Sequence, residues 1–92
     1  MAEIRFTVDE FISGHRSALM LTLECYRREV ESYEVALANV KATIKAAKDT
    51  VATLKLYNVI DTETAQEILT NIKPLNEFAL RSLDATECIR NI

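Results

Sequence analysis

The sequence is poor in the residues that make turns, metal sites and redox sites. Its 92 residues include one glycine, one proline, one histidine, two cysteines and no tryptophan. All-β folds need many turns, which glycine and proline favour, so this composition argues against an all-β architecture. Cys25 and Cys88 are too few for a disulfide scaffold and have no further ligand at zinc spacing. We therefore expect no bound metal and no cofactor.

Long hydrophobic runs are also absent. A membrane span needs roughly 20 consecutive apolar residues, and the first residues lack the apolar stretch of a secretory signal. No membrane segment is expected, and the cytoplasm is the expected compartment. Fourteen Asp and Glu against eleven Lys and Arg give a formal net charge of -3, which makes nucleic acid and anionic lipid poor partners. The length predicts a single domain over residues 1–92.

A helix start signal stands near the N-terminus. Thr7 and Glu10 have capping-box spacing, in which the hydroxyl of the first residue accepts from the backbone N–H of the second. Phe6 and Phe11 occupy the two positions of a hydrophobic staple. The pattern predicts a helix from about residue 8. Gly14 favours a kink or break that leaves this first helix short.

The strongest pattern is a heptad repeat of mostly apolar residues, spaced alternately four and three apart. The repeat comprises Leu19, Leu23, Tyr26, Val30, Tyr33, Leu37, Val40, Ile44, Ala47, Val51 and Leu54. Because neither glycine nor proline interrupts it, the repeat predicts one continuous helix about 54 Å long at 1.5 Å per residue.

Helix-ending and helix-capping residues in the second half of the chain predict a helix that runs antiparallel to the first. Asn58 breaks the heptad, and Asp61 or Thr62 is suited to cap a new helix. Pro74 favours a kink, or an end near Ile72 followed by a further helix, because proline cannot donate a backbone hydrogen bond. The predicted fold class is all-α: a long-helix antiparallel hairpin with a short N-terminal helix and a kink or break at Pro74.

The apolar stripe is wider than a coiled-coil seam, since further apolar residues such as Val35 and Leu56 flank it. A wide stripe requires more than one partner helix. We therefore expect a helical-bundle homo-oligomer. The predicted core or interface residues are Leu19, Leu23, Val30, Leu37, Val40, Ile44, Val51 and Leu54.

Catalytic patterns are missing. The lone histidine, His15, has no partner motif, and no phosphate-binding or dinucleotide motif occurs. We expect a non-enzymatic protein–protein interaction module, an adaptor or inhibitor of the kind that phages and mobile elements encode. Lysines at 41, 45, 48 and 55 share one face, and glutamates at 24, 29, 31 and 34 precede them. The helix is therefore acidic in its first half and basic in its second half. These charges either face solvent or suit an antiparallel partner of the same sequence.

An alternative function depends on aromatic and basic residues in the first part of the heptad stretch. These residues are Arg16, Tyr26, Arg27, Arg28 and Tyr33. At a subunit junction, tyrosines and arginines can stack on and hydrogen-bond to a flat anion. The alternative prediction is therefore a small anionic ligand such as a nucleotide. The competing interpretation makes both tyrosines ordinary core residues.

Overall fold

The protein is a three-helix bundle. In a computed structural model that describes residues 7–90, α1 spans Val8–Arg27, α2 spans Tyr33–Leu56 and α3 spans Thr62–Arg90. Each helix packs on the other two. Side-chain hydrogen bonds join His15 to Asn76 and Tyr26 to Glu87, so α1 and α3 run in the same direction. The predicted all-α class is confirmed.

The predicted continuous helix through residues 19–54 is wrong, because the chain turns between α1 and α2. Glu29 adopts a left-handed φ of 63° just after α1. The backbone N–H groups of Glu29 and Val30 donate to the carbonyls of Tyr26 and Cys25, respectively. This pair of bonds is the Schellman motif that closes helices. Ser32 then caps the start of α2, its Oγ accepting from the backbone N–H of Val35 at 3.3 Å.

The turn allows the heptad stripe to pack against itself within one chain. In one core cluster, Leu19 of α1 is buried with Val40 of α2 and Leu83 of α3. A second cluster, nearer the α2–α3 turn, buries Val51 with Ile68. A straight helix would leave this apolar surface to water, so burial among three helices stabilises the bent chain.

The N-terminal helix is 20 residues long rather than short, and it is not broken at Gly14. Phe11, Ile12 and His15 anchor this part of α1 to the bundle, which outweighs the roughly 1 kcal/mol that a helical glycine costs. The helix begins at Val8 as predicted, but the side chain of Thr7 makes no capping hydrogen bond. The predicted staple involves Phe6, which lies outside the described residues.

The turn between α2 and α3 lies where the sequence predicts it. Asn58 has a φ of 58°, and its N–H and that of Val59 close α2 in a second Schellman motif. Asp61 caps α3 as predicted, accepting from the backbone N–H of Thr64 at 2.8 Å. Hydrogen bonds from the side chain and backbone of Thr64 hold the pKa of Asp61 below its usual value.

Pro74 lies inside α3, so the predicted helix end near Ile72 is wrong. Proline leaves the carbonyl of Thr70 without its helical donor. Both residues are exposed, and water can therefore hydrate that carbonyl. Among residues 7–90, each of the three helices is too polar or too short to form a membrane span.

Candidate docking groove and the tyrosine cluster

An open groove of about 600 Å³ runs between α2 and α3. Its apolar lining comes from Ile44, Val51 and Ala52 of α2 and from Ala65, Leu69 and Leu80 of α3. None of the residues that the structure describes in α1 lines this α2–α3 groove, because α1 packs on the other side of the two helices. Residues 44 to 55 span about 16 Å of helix, or three turns.

All five lysines of the chain lie along this face. Lys48, Lys55 and Lys73 line the α2–α3 groove itself. Lys41 and Lys45 line an adjoining hollow of about 380 Å³, which shares Ile44, Lys48 and Leu80 with the groove.

Two acidic residues accompany these lysines. Glu77 lines the groove, and Asp49 lines the adjoining hollow, where it accepts from Lys45 Nζ at 3.0 Å. The lining therefore carries five positive and two negative formal charges, although the whole chain has a net charge of -3. Lysine stems can cover apolar surface while their ammonium groups stay in water. The result is an apolar groove with a basic rim.

Asn76 connects the groove to the third helix. It is one of the lining residues, yet it is only 8 % exposed. Its Oδ1 lies 2.6 Å from Nε2 of His15, which is 6 % exposed on α1. No sequence pattern indicates this buried pair, because its members stand 61 positions apart.

The two heptad tyrosines meet across the α1–α2 turn. Their ring centroids are 6.2 Å apart in an edge-to-face arrangement. The Tyr26 hydroxyl donates to the Glu87 carboxylate, and the Tyr33 hydroxyl donates to Asp84 Oδ1 at 2.6 Å. Burial, followed by the Glu87 contact, raises the pKa of Tyr26. The bond to Asp84, followed by burial, raises the pKa of Tyr33.

Arg90 completes this tyrosine cluster from the end of α3. Its guanidinium carbon lies 4.3 Å from the centroid of the Tyr26 ring, a cation–π distance. The same guanidinium donates to the carbonyls of Tyr26 and Arg27, both at 2.9 Å. Arg90 thus supplies a donor to the Arg27 carbonyl at the end of α1, and a second donor to the Tyr26 carbonyl, which also accepts from the backbone N–H of Glu29.

The arginines of the predicted ligand site lie elsewhere. Arg27 and Arg28 both pair with Glu24, at 3.1 and 2.7 Å, with side chains 73 % exposed. These two pairs, first that with Arg27, lower the pKa of Glu24. Arg16 is exposed on α1, ten residues and about 15 Å before Tyr26. The structure therefore brings together the two tyrosines of the predicted set, but not Arg16.

The predicted core or interface residues divide into three groups. Leu19, Val40 and Val51 are buried within the single chain. Four others are partly buried against the same clusters, namely Leu23, Leu37, Ile44 and Leu54. Val30 is 72 % exposed because it lies in the α1–α2 turn. Most of this set therefore serves the core of one bundle.

Neither a metal centre nor a relative helps to identify the site. Across residues 7–90, no three His, Cys, Asp or Glu side chains are grouped so that they could hold a metal ion. Comparison of the chain with protein-family models, with curated proteins and with solved structures gives no match in any of the three. The functional inference therefore rests on the geometry of the α2–α3 groove.

Proposed function

We propose that this protein is a non-enzymatic interaction module, an adaptor or inhibitor, that binds a partner protein in the α2–α3 groove. The observation that carries the proposal is the open apolar groove on the face that α1 leaves uncovered. An apolar concave surface with a few polar groups is the usual form of a binding site. A groove between two helices is also a recurrent docking place for a partner helix.

The alternative, a small anion bound by the tyrosines, gains no support from the tyrosine cluster. Both hydroxyls donate to carboxylates, those of Glu87 and Asp84. A phosphate placed there would meet negative charge and would have to displace these acceptors. The nucleotide-type ligand and its location at a subunit junction remain a prediction from the sequence.

The homo-oligomer also remains a prediction. The prediction depends on an apolar stripe too wide for one hairpin, and that stripe is covered largely within the three-helix chain. Sedimentation velocity tests the prediction directly: a single species at the monomer mass would contradict it, and a larger defined species would support it.

Selection from a peptide library tests the docking proposal. Random peptides of about 16 residues, enough for four helical turns, are selected on the wild-type protein and rescreened on Ala52→Trp. Ala52 is exposed in the groove, so a tryptophan there fills the groove without changing the core. Ala42→Trp is the matched control, because Ala42 is exposed on α2 outside the groove lining.

We expect selected peptides that bind wild type and Ala42→Trp but lose binding to Ala52→Trp. Circular dichroism of both variants confirms that they fold. Failure to enrich any peptide, or enrichment only of peptides indifferent to Ala52→Trp, would overturn the proposed function.

A further inference from the structure

We propose that the occupant of the α2–α3 groove is an amphipathic helix of a partner protein, with Asp and Glu flanking its apolar residues. This inference rests on the proposed function and specifies the chemistry of the partner. It follows from the shape of the groove, the distribution of charge around it, and the exposed faces of the chain itself.

The shape suits a fourth helix. The groove lies between two packed helices and extends for about three turns. A helix laid along it would present apolar side chains at positions i, i+4, i+7 and i+11 to the lining between Leu69 and Leu80, which lie eleven residues and about 16 Å apart on α3. Neighbouring helix axes in such bundles are 8–10 Å apart. The partner would thus extend the three-helix bundle to four helices.

The charge around the groove selects an acidic partner. Within the part of the chain that the structure describes, Lys45 is the lysine that has an ion-pair partner, Asp49. The other four lysines form no ion pair with residues 7–90. By contrast, Arg27 and Arg28 are engaged by Glu24, and Arg90 by backbone carbonyls. The lysines are therefore available to carboxylates of a bound helix.

The apolar lining and the lysines contribute differently to binding. An exposed ion pair contributes less to binding than the full burial of one leucine-sized side chain. The apolar lining would therefore supply most of the affinity. The lysines would set which helices bind, and how fast, through long-range attraction.

Within residues 7–90, no helix of a second copy offers an apolar face that matches the groove. Large apolar residues exposed on its helices are Met20 and Leu21 on α1, Val35 and Leu56 on α2, and Phe78 and Ile89 on α3. No described helix therefore presents three of them at i, i+4 and i+7. Glu24, the carboxylate beside Leu21, already pairs with two arginines. The occupant is therefore expected to be a different protein.

The groove-dependent peptides from the library selection provide the probe. Their sequences are expected to be enriched in Asp and Glu over the starting library, with apolar residues at helical spacing. The tightest peptide is then synthesised with its acidic residues intact and with each replaced by its amide. Fluorescence anisotropy is expected to show roughly ten-fold weaker binding for the amide form, the equivalent of about 1.4 kcal/mol.

Charge reversal in the protein supplies the matched comparison. Lys48→Glu in the groove and Arg16→Glu on α1 change the net charge equally, and both side chains are exposed. Lys48→Glu is expected to weaken binding of the acidic peptide by roughly ten-fold. Arg16→Glu is expected to leave that affinity nearly unchanged. A peptide with lysine in place of its acids should regain affinity for Lys48→Glu. Proline at the peptide centre should abolish binding if the bound form is helical.

The outcomes separate the two proposals. Groove-dependent peptides without acidic enrichment, or an acidic peptide insensitive to Lys48→Glu, would overturn the acidic-helix inference while the docking function stands. A wild-type dimer that Ala52→Trp dissociates would also overturn it, since the occupant would then be a second copy. Absence of any groove-dependent peptide would remove the proposed function itself.

Discussion

His15 Nε2 on α1 lies 2.6 Å from Asn76 Oδ1 on α3, and both side chains are more than nine-tenths buried. Because an amide oxygen can only accept, His15 Nε2 is the donor in this bond. Asn76 also lines the α2–α3 groove. The pair therefore ties α1 to the underside of the proposed docking surface, and it fixes the relative position of the two parallel helices.

Removing either partner of this pair should destabilise the fold. We expect His15→Ala and Asn76→Ala each to lower the free energy of unfolding by about 1–3 kcal/mol, since each leaves a buried polar group unsatisfied. The double variant should lose less than the sum of the two. Urea denaturation of all four proteins measures the coupling. Additive losses, to within about 0.5 kcal/mol, would mean that the bond contributes nothing.

Glu29→Gly distinguishes the turn from the continuous helix by the sign of its effect. At the left-handed φ of 63° that Glu29 adopts, a side chain costs about 1–2 kcal/mol of steric strain, which glycine avoids. Part of this gain is lost because glycine makes the unfolded chain more flexible. We expect a net gain in stability of about 0.5–1 kcal/mol. In a continuous helix the same substitution would cost about 1 kcal/mol.

Asn58→Gly is the control for this prediction. Asn58 also has a positive φ, but asparagine tolerates the left-handed region better than glutamate. Its replacement should therefore give a smaller gain. If thermal unfolding showed that Glu29→Gly is less stable than wild type, the result would contradict the turn and favour the continuous helix through residues 19–54.

Gly14→Ala should stabilise the protein. Gly14 is helical, and apart from the neighbouring residues of its own helix, an added Cβ would meet no atom of the described chain within 4 Å. We expect a gain of about 1 kcal/mol, which raises the melting temperature by about 4–8 °C in a domain of this size. Ser17→Ala, at another exposed position of α1, should give a smaller gain. A lower melting temperature for Gly14→Ala would show that α1 bends or breaks there.

Asp61 should make stability depend on pH in the acid range. Its pKa is lower in the folded chain than in the unfolded chain, so its contribution is present above the unfolded value near 3.9 and is lost as the pH falls through the folded value. Asp61→Asn keeps a capping side chain that does not titrate. The melting temperature of Asp61→Asn should fall less than that of wild type between pH 5 and pH 2, and equal falls would contradict this role.

Local signals predicted much of the fold, and packing decided the rest. Asn58 and Asp61 indicate the second turn, because asparagine is favoured just after the end of a helix and aspartate is favoured at the cap that starts one. The first turn was missed because Glu29 occupies a position where glycine is the usual signal. The apolar spacing also continues through that turn, since α1 and α2 bury the same stripe against α3.

The candidate site was only partly accessible from sequence. Four of the five lysines share a helical face and could be grouped, but Lys73 joins them only after α3 packs on α2. The sequence places both tyrosines in one candidate set, but it does not predict their contact across the α1–α2 turn, and their partners Asp84 and Glu87 stand more than 50 positions away. Contacts of that range leave no periodic trace in a single sequence.

Backbone amide NMR of the isotope-labelled protein, titrated with the tightest groove-dependent peptide, tests the docking surface most directly. The docking proposal predicts the largest shift changes along residues 44–55 and 65–80. The ring signal of the only histidine should move as well, because its partner Asn76 lines the groove. Shift changes centred on the exposed face of α1 or on the α1–α2 turn, with the groove residues unaffected, would contradict it.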